Sequence, residues 1–246
     1  MRPGEGDPWS RLRYRYGSLG VNVTLQSQHD DAAKDADLRR FHLAHLALRT
    51  HADDICRALA ALRPGEADRA AAIGRLWMIY EAGSRGHDVA ESALCWPIVT
   101  ERDPSFADIQ ADMDKQHEVV DEHARAASAA LNRLAENPDR GRIADAVEAM
   151  ATLRQGIEDH FIDEEDRALP RLAAVFTDKD LEPLERRRRR MPKEMRVMFI
   201  AAEDGAARRA NARDLMAALP LADRIKLALF WRRHYRRIVG PVLAIK

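Results

Sequence analysis

The sequence predicts an all-α protein, an up-down-up-down antiparallel four-helix bundle with a helical C-terminal extension. Three observations predict it. Apolar residues recur at steps of three and four over long stretches, Pro, Gly and Asn break those stretches sharply, and no run alternates with the period of two that strands require. With 46% hydrophobic and 33% charged residues among 246, the chain can bury a sizeable core and stay soluble. Collagen-like, disulfide-framework and disordered compositions are excluded.

The first helix is predicted over residues 37–62, with the seam Leu38, Phe41, His45, Leu48, Ala52, Ile55, Leu59 and Leu62, and Pro64-Gly65 stops it. The second covers 68–96 with Ile73, Leu76, Tyr80, Gly83, His87, Glu91 and Leu94 on its seam, and Pro97 is its expected end. The third starts near Pro104-Ser105, carries Ile109, Met113, His117, Val120, Ala124, Ala127, Leu131 and Leu134, and breaks at Asn137-Pro138. The fourth, 141–169, carries Ile143, Ala146, Met150, Leu153, Ile157, His160 and Glu164 before Pro170. Long helices joined by short links pack as antiparallel neighbours.

Charge divides the chain further. Residues 38–177 hold 17 basic and 25 acidic side chains, whereas residues 178–246 hold 18 basic and 9 acidic, so a net charge of zero conceals an acidic body and a basic tail. Three parts follow: a flexible lead-in over 1–37, the bundle over 38–177 and a basic helical extension over 178–246. Zero net charge and the lack of a recognition motif argue against nucleic acid as a partner. No apolar stretch approaches the length of a membrane span, and no apolar segment follows Met1, so a cytoplasmic protein is expected. Two cysteines, Cys56 and Cys95, exclude a disulfide scaffold and a cysteine-ligated zinc or iron–sulfur site; both read as small buried residues.

Histidine carries the functional signal. Each predicted helix has one on its inward seam: His45, His87, His117 and His160. A single such residue is ordinarily a core imidazole bonded to a neighbour; four in four helices demand a common cause. Their heights agree, because His45 and His87 lie 20 and 22 residues from Gly65, and His117 and His160 lie 21 and 22 residues from Pro138. At about 1.5 Å per residue, all four imidazoles meet in one slab, roughly 30 Å from these turns. Glu91 and Glu164 follow His87 and His160 by four residues, on the same helix face. Buried carboxylates need partners, and no Lys or Arg is obvious on the seams at that depth. Four imidazoles and two bridging carboxylates suit two divalent cations, and mixed nitrogen and oxygen ligation favours iron. A polar core network without metal is the alternative.

These residues resemble the hemerythrin-like (HHE cation-binding) family over about residues 38–177. The likeness rests on His45-Leu-Ala-Leu-Arg49, His87-Asp-Val-Ala-Glu91 running into Leu94-Cys-Trp-Pro97, His117, and His160-Phe-Ile-Asp-Glu164-Glu165 running into Leu169-Pro170. The resemblance implies a non-haem di-iron centre with His45, His87, Glu91, His117, His160 and Glu164 as metal ligands and the two glutamates as bridges. Oxygen carriers of the family have a further His one turn after the third-helix His, where this chain has Asp121. Their fourth-helix acid falls five residues after its His, at Glu165 here, although Glu164 fits the HHE pattern better. Four rather than five histidines leave room for another ligand, and Tyr80, two turns before His87, is a candidate ligand or hydrogen-bond donor. His42 is a candidate supporting residue, with a solvent-side or inter-helix role as its alternative; His51 and His123 are expected at the surface, and so is Asp88, although next to His87 it could reach the site.

The expected function is binding of O2, NO or peroxide in oxidative or nitrosative stress response or sensing. A catalase-like, peroxide-disproportionating enzyme is the first alternative, and a metal-stabilised scaffold acting through its tail is the second. The Glu-x-x-His pair of the other di-iron bundles is missing, as are a phosphate-binding loop and a nucleophile elbow. The tail, with five consecutive arginines at 186–190 and Arg232, Arg233, Arg236 and Arg237 around Tyr235, is expected to pack on the acidic bundle, or to meet an acidic partner or membrane surface.

Overall fold

The computed structural model describes residues 38–243, and no strand occurs among them. The lead-in proposed for residues 1–37 lies outside the described residues. Helix α1 (Arg39–Ala60) turns at Gly65, whose φ of +86° is open to glycine at no steric cost, into α2 (Ala67–Ala90). A five-residue π-helical turn, Glu91–Cys95, carries α2 into α3 (Trp96–Arg102). Next come α4 (Ala107–Glu136) and α5 (Arg140–Asp163); a second π turn, Glu164–Ala168, carries α5 into α6 (Leu169–Val175). Asp139 caps α5 by accepting from the Arg142 amide at 2.9 Å.

The two prolines expected to end helices do not end them. In an α-helix the Pro97 ring would strike the carbonyl of Ala93, and the Pro170 ring that of Asp166. The wider π turn removes both clashes: Trp96 N–H bonds back to the Glu91 carbonyl and Leu169 N–H to the Glu164 carbonyl. Each proline then sits in the first turn of the next segment, where its missing N–H costs nothing.

The four long helices close into a ring of contacts, α1 against α2 and α5, and α4 against the same two. At one end the Gly65 amide donates to the Pro138 carbonyl at 3.0 Å, so the two turns from which the histidine heights were counted touch each other. The interior is layered. One apolar cluster, with Ile55, Leu59, Ile73 and Leu134, fills the turn end; another, with Trp96, Phe106, Met113 and Phe176, fills the opposite end. The buried His45, His117 and His160 lie on three of these helices, and the buried Glu91 and Glu164 open the π turns after α2 and α5.

The extension comprises α7 (Glu182–Arg190), α8 (Lys193–Arg209), α9 (Leu221–Lys226), a third π turn at Leu227–Trp231 and α10 (Arg232–Leu243). It lies across α1 and α2, and Met198, Ile200, Trp231 and Tyr235 join the core that those helices share. Much of its basic charge is matched within the chain. Arg209 makes a two-pronged bond to the buried Asp54 at 2.8 Å, Arg232 and Arg208 both meet Asp204, and Arg188 meets Glu203 at 2.8 Å. The cover corrects one expectation. His51 is buried, not superficial: its Nδ1–H donates to the Ala47 carbonyl at 2.7 Å, and Nε2 accepts from the Tyr235 hydroxyl at 2.5 Å. No described helix is long and apolar enough to cross a membrane.

Candidate metal centre

The six residues predicted as ligands come together from α1, α2, α4 and α5 and the first residues of both π turns. Two groups of potential donors form, each with its atoms within 4.8 Å of one another: His45, His87, Glu91 and Glu164, and Asp88, Glu91, His117 and His160. The imidazoles pair edge to face, His45 with His87 at 4.8 Å between ring centres and His117 with His160 at 4.7 Å. The carboxylates interleave these pairs. Glu91 lies 2.9 Å from His87 Nε2 and 3.5 Å from His117 Nε2; Glu164 lies 3.3 Å from His45 Nε2 and 3.6 Å from His160 Nε2. Each glutamate therefore touches one histidine of each pair, the geometry a bridge requires.

The donor set fits a cation. Glu91 and Glu164 are fully buried, and none of their side-chain oxygens has a partner in hydrogen-bond geometry; His117 Nε2 and His160 Nε2 are orphaned beside them. His45 Nε2 and His87 Nε2 approach to 2.9 Å, a contact between two lone pairs unless a proton or metal intervenes. Burial on this scale without compensation costs several kcal/mol per ion, roughly.

The outward ring nitrogens fix which nitrogen faces in. His45 Nδ1–H donates to Glu165 at 2.9 Å, and His160 Nδ1–H donates to the Gln116 carbonyl oxygen at 3.0 Å. His117 Nδ1–H meets the Ser92 hydroxyl at 3.1 Å, which itself donates to Asp114 at 2.7 Å. Such partners leave Nε2 as the free donor and orient the ring. Phe161 stacks on His45 with 4.0 Å between ring centres and 6° between planes.

The charges shift each other strongly. Burial opposes a charge on His45, but Glu164 and Glu165 outweigh it and raise its pKa to about 9. Burial and the neighbouring His117 drive His160 down to about 3. For Glu91, burial favours the neutral acid, yet His87 and His117 prevail and hold it well below the carboxylate range. Burial and Glu91 push Glu164 upward. Six groups in one slab thus compete for protons, as a site built for a multivalent cation should.

The remaining candidates divide. Glu165 joins as a support, accepting from His45 and from Arg49 at 2.6 Å. Tyr80 is buried with its hydroxyl unpartnered and makes no hydrogen bond to the cluster. Asp121 turns away, pairing with Arg85 at 2.8 Å and Arg125 at 2.5 Å. His42 is half-buried and outside both groups. Asp88, expected on the surface, is half-buried in the second group, and burial raises its pKa to about 6.

Sequence reasoning missed Arg49, whose side chain is 4% exposed and joins Glu158 at 2.8 Å to Glu165. It is the basic residue that the seams did not disclose at that depth, one turn after His45, but its bonds go to Glu158 and Glu165, not to Glu91 or Glu164. Ser92, Asp114 and Gln116 were missed too. A signal for the π turns exists: Glu91 and Glu164 each stand six residues before a proline and four after a histidine. A glutamate that opens a π turn is displaced from the α-helical register, a common device at functional sites.

Residues 36–172 match the family model of the hemerythrin HHE cation binding domain. No curated protein and no solved structure matches the chain. The family match covers more than half of the chain, which therefore belongs to the hemerythrin HHE cation-binding family.

Proposed function

We propose that the chain is a non-haem di-iron protein of the oxidative or nitrosative stress response that binds O2, NO or peroxide. The ligands in this reading are His45, His87, Glu91, His117, His160 and Glu164, on a bundle of up-down-up-down order spanning 38–177. The interleaving of the carboxylates carries the reading: two buried glutamates, each beside one histidine of each pair, suit two bridged ions better than one. Iron, when bound, supplies one-electron redox change and an electrophilic position for a small ligand. The chain's own residues do the rest. Glu165, Gln116 and Ser92 hold the protons at Nδ1 and so present Nε2 inward, while Phe161 and the apolar clusters on both sides keep bulk water out.

Catalase-type peroxide disproportionation at the same centre is the second reading. It is favoured by a cavity of about 490 Å³ that reaches His87 and Glu91 and provides a route for a small substrate. For the tail, we propose an anionic membrane surface as the outward partner. Leu221, Ile225, Leu229 and Phe230 are all more than half exposed along α9 and its π turn, with Arg224, Lys226, Arg233, Arg236 and Arg237 around them.

The deciding experiment is elemental analysis with absorption spectra before and after peroxide, on wild type and His87→Ala. About two irons per chain, with their absorption lost in the variant, supports the centre; vigorous O2 evolution from peroxide selects the enzyme. An iron-replete wild type that folds without metal refutes the proposal.

A further inference from the structure

The cavity that reaches His87 and Glu91 has walls of two origins. Its inner wall is the α1–α2 face, from Arg40 to His51 on one helix and from Leu76 to Glu91 on the other. Its outer wall comes from residues 181–235, all beyond the segment matched to the family, so family membership does not account for it. The stretch of lining helix corresponds to roughly 16–22 Å at the rise of an α-helix, so the lining is elongated along α1 and α2. Its surface is predominantly apolar, with Leu48, Ile79, Leu184, Met198, Phe199 and Ala202 among the contributors.

The polar groups are few, and the charge on one wall points to an occupant. Tyr80 lines the cavity and is 4% exposed, and its hydroxyl has no hydrogen-bond partner. On the side of α7, Arg40, Arg187, Arg188 and Arg189 line the cavity, against Glu185 and Glu203. Arg40 is matched by Glu185 at 2.8 Å and Arg188 by Glu203 at 2.8 Å. Arg187 and Arg189 have no carboxylate within ion-pair distance among the described residues, which leaves this wall with surplus positive charge. The volume lies within the range of small-molecule sites, about 300–1,000 Å³. An elongated, mostly apolar lining with surplus cationic charge on one wall matches a long-chain carboxylate better than a neutral lipid or a compact anion.

We infer that the C-terminal extension makes this cavity a binding site for one long-chain carboxylic acid. Arg187 and Arg189 receive the carboxylate, and the acyl chain lies along the α1–α2 seam past Tyr80 and beside His87 and Glu91. The inference does not rest on the di-iron reading, since its walls are made by the chain alone, and it meets the proposed centre only at His87 and Glu91.

The test is calorimetric titration of the full chain with hexadecanoate, in metal-loaded and metal-stripped forms, with hexadecanol as the uncharged comparison. Saturable binding of one hexadecanoate per chain is expected in both forms. Ala202→Trp, which fills the cavity from α8, should abolish it. The exposed-side double variant Arg187→Glu/Arg189→Glu should weaken hexadecanoate binding at least tenfold and leave hexadecanol little changed, with folding checked by circular dichroism; this variant decides the matter should Ala202→Trp misfold. Absence of saturable binding to folded wild type overturns the inference. So does binding indifferent to both variants, which signifies surface adsorption, or equal affinity for the alcohol.

Discussion

Replacing Arg49 with Met should be among the most damaging single changes in the bundle, although Arg49 touches none of the six candidate ligands in a hydrogen bond. Arg49 and Glu165 are each 4% exposed in their side chains and lie 2.6 Å apart. Removing one partner of a buried ion pair costs up to about 3–5 kcal/mol, the upper end being out of reach here because His45 goes on donating to Glu165. The second bond of Arg49, to Glu158, adds little, because that carboxylate is 35% exposed and rehydrates; exposed pairs contribute about 0–1 kcal/mol. For a chain of this size each kcal/mol is about 2–4 °C, so the Tm of Arg49→Met should fall by roughly 6 °C or more and stay short of about 20 °C. The pH dependence has a definite sign. Burial favours the neutral Glu165, but His45 and Arg49 together hold its carboxyl well below the usual range. A depressed carboxyl contributes stability above its unfolded pKa of about 4.3, lost as pH falls below it. Without Arg49 that stabilisation shrinks, and Glu165→Gln in the same background should recover part of it, because the neutral amide still accepts from His45. The assay is urea unfolding of wild type, both single variants and the double variant at pH 4–7. A single variant within about 1 kcal/mol of wild type, or no recovery in the double, refutes the reasoning.

Three further outcomes are expected. Burial holds the His51 pKa below its ordinary value, so the neutral ring under Tyr235 contributes stability that is complete above about pH 6.5 and declines as pH falls below it; His51→Gln should flatten the unfolding midpoint between pH 5 and 8, and parallel curves for the two proteins disprove this. Pro170→Ala removes the clash, worth about 3 kcal/mol, that excludes an α-helical register at Glu164, so iron content should drop with little change in helix content; full iron retention in the variant counts against a positioning role for the π turn. Metal removal by a chelator should lower thermal stability, by about 2.7 kcal/mol relative to protein held at metal one hundred times its Kd, and coincident melting curves with and without chelator contradict metal binding at this centre.

What the chain discloses in one dimension is what depends on periodicity. The seams of Phe41 to Leu62 and Ile143 to Ile157 follow from apolar steps of three and four, and the common height of His45, His87, His117 and His160 follows from counting back to Gly65 and Pro138. Those counts hold because the two turns are bonded together. Local rules misled at Pro97 and Pro170, where the general effect of proline on an α-helix gave way to a π turn that absorbs it. Long-range pairing was invisible. Nothing near His51 announces that Tyr235, 184 residues on, will cover it, and nothing in the spacing of Arg49 announces Glu165, 116 residues on. Asp88 was expected at the surface because a seam drawn through His87 and Glu91 puts its neighbour outside, whereas the second donor group takes it in.

The outward partners of three of the imidazoles also make the two donor groups unequal. On one half a carboxylate, Glu165, accepts from His45 Nδ1–H; on the other, His117 and His160 meet only a hydroxyl and an amide, Ser92 and Gln116. A carboxylate pulling on the far proton makes an imidazole the richer electron donor, and a neutral acceptor does so less. Two cations placed there would not share charge evenly. If ions were held in both groups, Glu165 behind His45 would raise the donor strength of one, and Asp88 would add a carboxylate to the other. With cations bound, the difference between the two groups would be set in part by residues that touch neither ion, Glu165, Ser92 and Gln116.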